Sequence, residues 1–194
     1  AHSSVPLTAT SSSSSALTYS SRSSAYGRSC ELSRMHASSR ALNAAGTLAF
    51  VADKNNNRVR GVHLGNGSSF TFVGNGAVGS ADGVGTAATF VIPRAGVQAP
   101  NGTIYINDQG AFRVRTLQAG VVATLAGNGS AFSIDGPFAA SSFLGLCGMA
   151  MDDAGALYVT EGCNSASHAV RVLAGGLVRT LAGGSTPGFL NAVG

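Results

Sequence analysis

The residues whose spacing best matches a known chemistry are three glycines in the stretch VGNGAVGSADGVGTAATF, residues 73–90. Gly74, Gly76 and Gly79 form the G-x-G-x-x-G pattern that binds dinucleotide phosphates when it follows a strand and opens a helix. No helical pattern follows these glycines, and the stretch LAGNGSAFSIDGPFAASSF at 125–143 has the same layout. The repetition predicts a structural connection between repeats, and we expect no phosphate site here.

The histidines offer no recognisable catalytic or metal-binding arrangement. Catalysis needs a nucleophile or a base with an orienting partner, and metal ligation needs ligands at recurrent spacing. The four histidines are scattered along the chain: His2, His36, His63 and His168. The sequence predicts no catalytic residue, no bound metal and no cofactor.

The stretch DKNNN at 53–57 places oxygen ligands at alternating positions, like the opening of a calcium-binding loop. It lacks the glycine that follows and the glutamate at position twelve of such loops. The alternative is a turn in which the side chain of Asp53 accepts hydrogen bonds from backbone N–H groups. We expect the turn.

Arginines recur once or twice per repeat, and they are the candidate interaction residues: Arg58, Arg60, Arg113, Arg115 and Arg171. Recurrence at a fixed position predicts a structural role, in which the arginines pair with acids of a neighbouring loop. Those acids are Asp53, Asp108 and Glu161. The functional alternative is a basic ring for RNA or acidic glycans. RNA-binding faces usually add aromatic or lysine residues, whereas this chain has 7% aromatic residues, so nucleic acid is not an expected partner.

Composition favours a β protein with many turns. The chain has 194 residues, of which 44% are hydrophobic and 10% charged, with 27 glycines. This length allows one domain with a sizeable core. The low fraction of charged residues does not suit a helical protein, whose surface usually carries many charged side chains. The net charge of +4 is typical of a mildly basic solvated surface. No apolar stretch approaches the roughly 18 residues that cross a bilayer.

Internal repeats organise the chain. Residues 43–62 align with 98–117 and with 151–173. An apolar strand-like run ending in glycine follows each of these segments: FTFVGNG, VATLAGNG and VRTLAGG. A period of 53–56 residues with four short strand-like runs per unit predicts a β-propeller blade. In the third unit we expect strands at 148–151, 156–160, 168–173 and 177–182, with a tight turn after the first.

These residues resemble the NHL-repeat family. The motif pieces are GTLAFVADKNNNRVR, VATLAG and DGVGTAATF, and they recur in order over about residues 40–194. The second copy departs from the pattern at Gln109-Gly110-Ala111, and the third at Thr160-Glu161. The resemblance implies a propeller, usually six-bladed, that serves as a binding or scaffolding platform.

The expected fold is therefore all-β: a partial β-propeller of three NHL-like blades, each with four antiparallel strands. A serine-rich segment at 1–29, an outer strand or a linker, precedes the propeller segment at 30–194. The units run over roughly 36–90, 91–143 and 144–194. We expect part of a longer chain; the alternative is a half-propeller completed by another subunit.

Two of the three cysteines fall where the first hairpin of the third unit brings its strands together. The turn centres near residues 154–155, so Cys147 and Cys163 lie nearly opposite each other, within disulfide reach. The alternative is two buried thiols. Cys30 is left over, either free or joined to another partner.

Three N-glycosylation sequons begin at Asn66, Asn101 and Asn128, all at predicted turns. A number this small also arises by chance in a serine-rich chain. Together with the hairpin disulfide, the sequons predict an extracellular or cell-surface protein.

The leading functional hypothesis is a non-enzymatic structural or interaction module outside the cell. It assembles with copies of itself into a filament, wall or surface appendage. One alternative is a soluble propeller that recognises a peptide, glycan or RNA, which predicts an exposed aromatic or arginine-rich face. The second is a metal-dependent propeller enzyme, which predicts three or more His, Asp or Glu side chains converging on a channel.

Overall fold

The computed structural model describes residues 42–43, 46–162 and 168–184, and these contain thirteen β-strands and three short 3₁₀ turns. The strands are β1 (Leu48–Asp53), β2 (Arg58–His63), β3 (Ser69–Val73), β4 (Gly83–Val84), β5 (Pro93–Gln98), β6 (Ile104–Asp108), β7 (Arg113–Gln118), β8 (Val121–Ala126), β9 (Gly136–Pro137), β10 (Leu146–Met151), β11 (Leu157–Glu161), β12 (His168–Ala174) and β13 (Leu177–Gly184).

The strands form three successive antiparallel sheets, which are the blades of a partial β-propeller. The first blade has the order β1-β2-β3. The second has the order β4-β8-β7-β6-β5, and the third β10-β11-β12-β13-β9. Since the strands of each blade follow one another as a meander, β5 and β10 are the first full strands of their blades. β5 contacts both β10 and β1, so neighbouring blades meet along these first strands.

The strands of the third unit lie close to their predicted positions. β10 begins two residues before the expected start, and β11, β12 and β13 match to within two residues at each end. The tight turn at 152–155 is held by the Gly155 N–H, which donates to the Asp152 carbonyl at 3.1 Å. This agreement confirms that the repeat period predicts the strand layout of a blade.

One hydrophobic cluster fills each space between neighbouring blades. Alternate side chains of a strand face opposite sides of its sheet, so each central blade contributes to two clusters. Between the first and second blades lie Val59, Val73, Ala88, Phe90, Ile104, Ile106, Leu117 and Val122. Between the second and third lie Val114, Ala126, Phe143, Leu146, Leu157, Val159, Leu173 and Val178. Packing between sheets therefore holds the array together.

The second and third blades each have the four antiparallel strands that the sequence predicts, and a short fifth strand joins each of them at the outer edge. β4 pairs with the outer strand β8, and β9 pairs in the same way with β13. Both extra strands are two residues long and come from the Asp-Gly end of the preceding repeat. The short strand thus crosses from one unit into the next blade.

The helical segments among the described residues are three-residue 3₁₀ turns, so none of them has the length or apolar character to cross a membrane. Two of these turns, Lys54–Asn56 and Gln109–Ala111, connect equivalent strands in the first and second blades. Each is followed by a residue in the left-handed conformation, Asn57 or Phe112. The two connections therefore share one backbone path despite their different sequences.

Candidate functional site

A buried arginine joins the first unit to the second blade. Arg115 lies on β7 with a fully buried side chain, and it donates to Asp108 at 2.8 Å and to Asp82 at 2.7 Å. Asp108 belongs to the same blade, whereas Asp82 comes from the preceding unit, just before β4. Thr124, opposite Arg115 on β8, donates its hydroxyl to the same Asp82 oxygen at 3.0 Å. The ring of Phe90 packs against the guanidinium, with 5.5 Å between its centroid and Arg115 Cζ.

The third blade repeats this arrangement. Arg171 on β12 has a fully buried side chain and donates to Glu161 at 3.1 Å and to Asp135 at 2.7 Å. Thr180 donates to Asp135 from both its backbone N–H and its hydroxyl, each at 3.0 Å. The ring centroid of Phe143 lies 5.6 Å from Arg171 Cζ. We call each set of an arginine, an acid of its own blade and an Asp of the preceding unit a clasp.

In the clasp of the second blade, the pKa values of the two acids are shifted in opposite directions. Burial raises the pKa of Asp108 to about 6, although the Val91 N–H and the charge of Arg115 act in the opposite direction. Partial burial also acts to raise the pKa of Asp82. There, however, the hydrogen bonds from Thr124 and Arg115 prevail, and the pKa lies below its ordinary value. Asp135 follows the same pattern, with Thr180 and Arg171 lowering its pKa against partial desolvation.

A second pair of arginines holds the glycine-rich connections. Arg58 donates to the Asn75 carbonyl at 2.9 Å, and Arg113 donates to the Gly127 and Asn128 carbonyls and to the Ser80 hydroxyl. A side chain at Gly76 would overlap the guanidinium of Arg58. The φ of Gly76 is also +91°, a conformation that disfavours other residues. Gly76 therefore serves a turn and a close arginine contact. The glycine run lies between β3 and β4, which is the structural connection that the sequence predicts.

The first blade departs from the clasp pattern. Arg60 occupies the equivalent position, opposite Val51 and Thr71, but it donates to the hydroxyls of Thr71 and Ser69, at 3.2 and 3.0 Å. Asp53, expected to accept from backbone N–H groups, instead accepts from the side-chain amide of Asn56 at 2.9 and 3.0 Å. The predicted pairing of arginines with loop acids is confirmed for Arg115 and Arg171, whereas no ion pair joins Arg60 to Asp53 in the described residues.

Polar side chains also line the first strand of the second blade, where it meets the third. Arg94 on β5 donates from Nε to Gln109 at 2.6 Å, and its register partner Asn107 is fully buried. Asn107 donates to the carbonyls of Cys147 and Gly148 on β10, at 3.2 and 3.3 Å. Its Oδ1 has no hydrogen-bond partner among the residues that the structure describes. No sequence pattern singled out this polar group, because each residue lies on a separate strand or turn.

The arginines proposed for interaction differ in accessibility. Arg115 and Arg171 are fully buried, so no macromolecular partner reaches them in this structure. Arg58, Arg60 and Arg113 are half-buried. A basic ring formed by all five arginines is therefore excluded, because Arg115 and Arg171 are buried and paired with carboxylates. An interaction role for the half-buried three stays a prediction.

The three sequon asparagines are exposed, and each sits in a tight turn. The side-chain oxygens of Asn66, Asn101 and Asn128 accept hydrogen bonds from the backbone N–H two residues later, at 2.8–3.0 Å. The Asn66 and Asn101 turns lie at one end of the meander, and the Asn128 turn lies at the other. Glycosylation stays a prediction at all three.

The remaining sequence expectations fall partly outside the described residues. Cys147 lies on β10 beside Leu146, which pairs with Glu161. Cys163, Cys30 and the serine-rich segment are outside the described residues, and the disulfide stays a prediction. His63 and His168 are exposed on β2 and β12, and His2 and His36 are outside. Within the described part of the chain, no three His, Cys, Asp or Glu residues cluster closely enough to hold a metal ion.

No family model and no curated protein matches the chain. Solved structures do match it. A Bacteroides thetaiotaomicron structure described as an auxiliary nutrient binding protein aligns with a TM-score of 0.55 and 23% identity, over 61% of this chain and 33% of that chain. A second protein from that organism, of unknown function, aligns with a TM-score of 0.58 and 20% identity, over 74% and 35% of the two chains.

A gluconolactonase from Xanthomonas campestris aligns with a TM-score of 0.50 and 14% identity, over 70% of this chain and 43% of that chain. The chain thus spans about a third of the Bacteroides proteins that it matches. Identities this low support the fold and not a shared activity. The chain is similar to β-propeller proteins and has the fold of a partial β-propeller.

Proposed function

We propose that this chain is a non-enzymatic interaction module of NHL-like blades that joins other copies of itself or neighbouring blades in an assembly outside the cell. The observation that carries the proposal is the clasp. In each of two blades, a short Asp-Gly segment of one unit becomes an edge strand of the next sheet, and its carboxylate meets a buried arginine.

Strand addition of this kind can also join separate polypeptides, since an exposed edge offers the same unpaired backbone groups. The recurrent charges of the second and third blades are engaged in ion pairs at these joints. The description of one structural neighbour as an auxiliary nutrient binding protein fits a binding role. The extracellular location rests on the three sequons and the predicted Cys147–Cys163 bridge.

The test is the mass of the protein in solution. We expect sedimentation velocity over a hundredfold concentration range to show species heavier than the 19.2 kDa chain. Because charged groups contribute to the joints, we expect association to weaken as salt is raised. A single species of monomer mass at the highest concentration would contradict assembly. Enzymatic removal of N-glycans from secreted material, read by mass, tests the location separately.

The polar group at Arg94, Asn107 and Gln109 supports a second candidate, a propeller that recognises a small polar ligand. The supporting observation is the buried Asn107 Oδ1 at the junction of two blades, an acceptor for which the described part of the chain supplies no donor. Calorimetry with acidic and neutral sugars distinguishes the candidates. Binding that Asn107→Leu abolishes, in a protein that stays monomeric, would favour this second function.

A further inference from the structure

We propose that the first blade carries a docking socket for an extended Asp-Gly segment of another propeller unit, centred on Arg60 and the outer edge of β3. This inference rests on the proposed function and names the chemistry of the partner. The chain itself supplies the template for the interaction, because the second and third blades each bind such a segment.

The basic side of the socket is Arg60. In the second blade, the equivalent Arg115 donates to Asp82 and to the Ala81 carbonyl of the incoming segment, at 2.7 and 3.0 Å. Arg60 lies in the same register and is half-buried, but among the described residues it donates to hydroxyl groups only. A guanidinium next to hydroxyl groups gains most from a carboxylate, because charge-assisted hydrogen bonds are the stronger kind.

The threonine that positions the incoming acid is also present. Thr124 and Thr180 each donate a hydroxyl to the carboxylate of the incoming segment, at 3.0 Å. Thr71 stands opposite Arg60, where Thr124 stands opposite Arg115. The first blade therefore has both donors of the clasp, Arg60 and Thr71. The Asp carboxylate that would accept from both is missing among the described residues.

Asp53, the equivalent acid of the first blade, also lacks a backbone N–H donor among the described residues. Asp108 accepts the N–H of Val91, and Glu161 accepts that of Leu144, the residues just after the buried Phe90 and Phe143. The equivalent Asp53 accepts only from Asn56 in the described part of the chain. A complete incoming segment carries this N–H about nine residues after its Asp, as the first unit does from 82 to 91.

The sheet edge completes the socket. In the second blade, Gly83 pairs with Val122 of the outer strand. The equivalent of Val122 in the first blade is Ser69, which is exposed, as is Phe70 beside it. Within the described residues, no strand pairs with the outer edge of β3. An incoming strand thus has backbone partners at the point where its Asp reaches Arg60.

The test uses a labelled synthetic peptide with the sequence of residues 79–92, GSADGVGTAATFVI, and fluorescence anisotropy with the full chain. We expect saturable binding that weakens by about tenfold or more when the peptide carries Asp82→Asn, because one charge-assisted pair is lost. The peptide change leaves the protein untouched, so misfolding does not confound it. Hydrogen exchange is expected to show protection of β3 on binding.

Protein variants locate the site. Arg60→Met is expected to lower the affinity for the unmodified peptide by about tenfold. It is expected to leave the affinity for the Asp82→Asn peptide unchanged, because that peptide has already lost the carboxylate that pairs with Arg60. Arg179→Met removes the same charge from an exposed position on β13 and is the matched control, with unchanged binding expected. No detectable binding of the peptide overturns the socket. So does equal binding of the Asp and Asn peptides, or binding that Arg60→Met leaves intact.

The socket and the proposed assembly fail in different ways. Association in solution without peptide binding would mean that copies join through another surface, and the socket alone is overturned. Peptide binding by a chain that stays monomeric would retain the socket and refute self-assembly, since the partner is then a different polypeptide.

Discussion

Replacing Arg115 with methionine is expected to lower the free energy of unfolding more than a substitution at an exposed position does. The side chain donates to both acids of its clasp and to the carbonyls of Ala81 and Thr89. Methionine has a similar length and fills much of the space without forming any of these bonds. The change leaves Asp108 fully buried without its ion-pair partner.

The magnitude follows from that uncompensated acid. Removing one partner of a buried ion pair typically costs about 3–5 kcal/mol. Asp82 is half-exposed, so water compensates its loss and most of the cost comes from Asp108. A domain has roughly 5–15 kcal/mol of total stability, so Arg115→Met is expected to remove a large part of it.

Urea unfolding at pH 7, followed by circular dichroism, measures this cost. The double variant Arg115→Met with Asp108→Asn is expected to recover about 1–2 kcal/mol of the loss, because no charge is then stranded. The reasoning is refuted if Arg115→Met costs less than about 1 kcal/mol. It is also refuted if the effects of the two substitutions on the free energy of unfolding are additive, since Arg115 and Asp108 then have no interaction energy.

Three further outcomes are expected. The pKa of Asp108 is about 6 in the folded state and about 3.9 when unfolded, so the folded state binds more protons and stability falls by up to about 3 kcal/mol as pH rises from about 3 to 7. Asp108→Asn should flatten this decline in urea titrations at several pH values, and an unchanged slope would refute the assignment. Gly96→Ala places a methyl group onto the Tyr105 carbonyl and is expected to lower the melting temperature well below that of Gly65→Ala, which faces open space; equal melting temperatures would contradict this. Phe143→Ala is expected to cost about 3–5 kcal/mol of unfolding free energy, and the exposed Phe132→Ala less than about 0.5, with similar costs counting against the packing analysis.

Sequence periodicity predicted the strands because each strand and turn has a local signal. The tight turn after β10 and the β12–β13 hairpin are examples, with glycine and alternating apolar residues in view. The pairing of Arg115 with Asp108 was also predictable, because two residues that recur together seven positions apart fall on neighbouring strands.

The contribution of the preceding unit was not predictable in the same way. Asp82 and Arg115 are 33 residues apart and lie in different repeats, so no local pattern links them. The exception at Arg60 was hidden for a related reason. The first repeat has the best-preserved motif of the three. Arg60 differs from Arg115 and Arg171 because no acid of a preceding unit lies beside it among the described residues.

The offset between repeat and blade has a consequence for how such a chain grows. The first and second repeats each end with the segment that joins the next blade, so a duplicate of such a repeat brings its own joint with it. Insertion of a whole repeat of this kind therefore needs no new contact surface, since both described junctions use an arginine, a carboxylate of the same blade and a threonine. A cut made at a blade boundary instead separates an arginine from its acid, which makes the sequence repeat the natural unit for recombination and protein engineering.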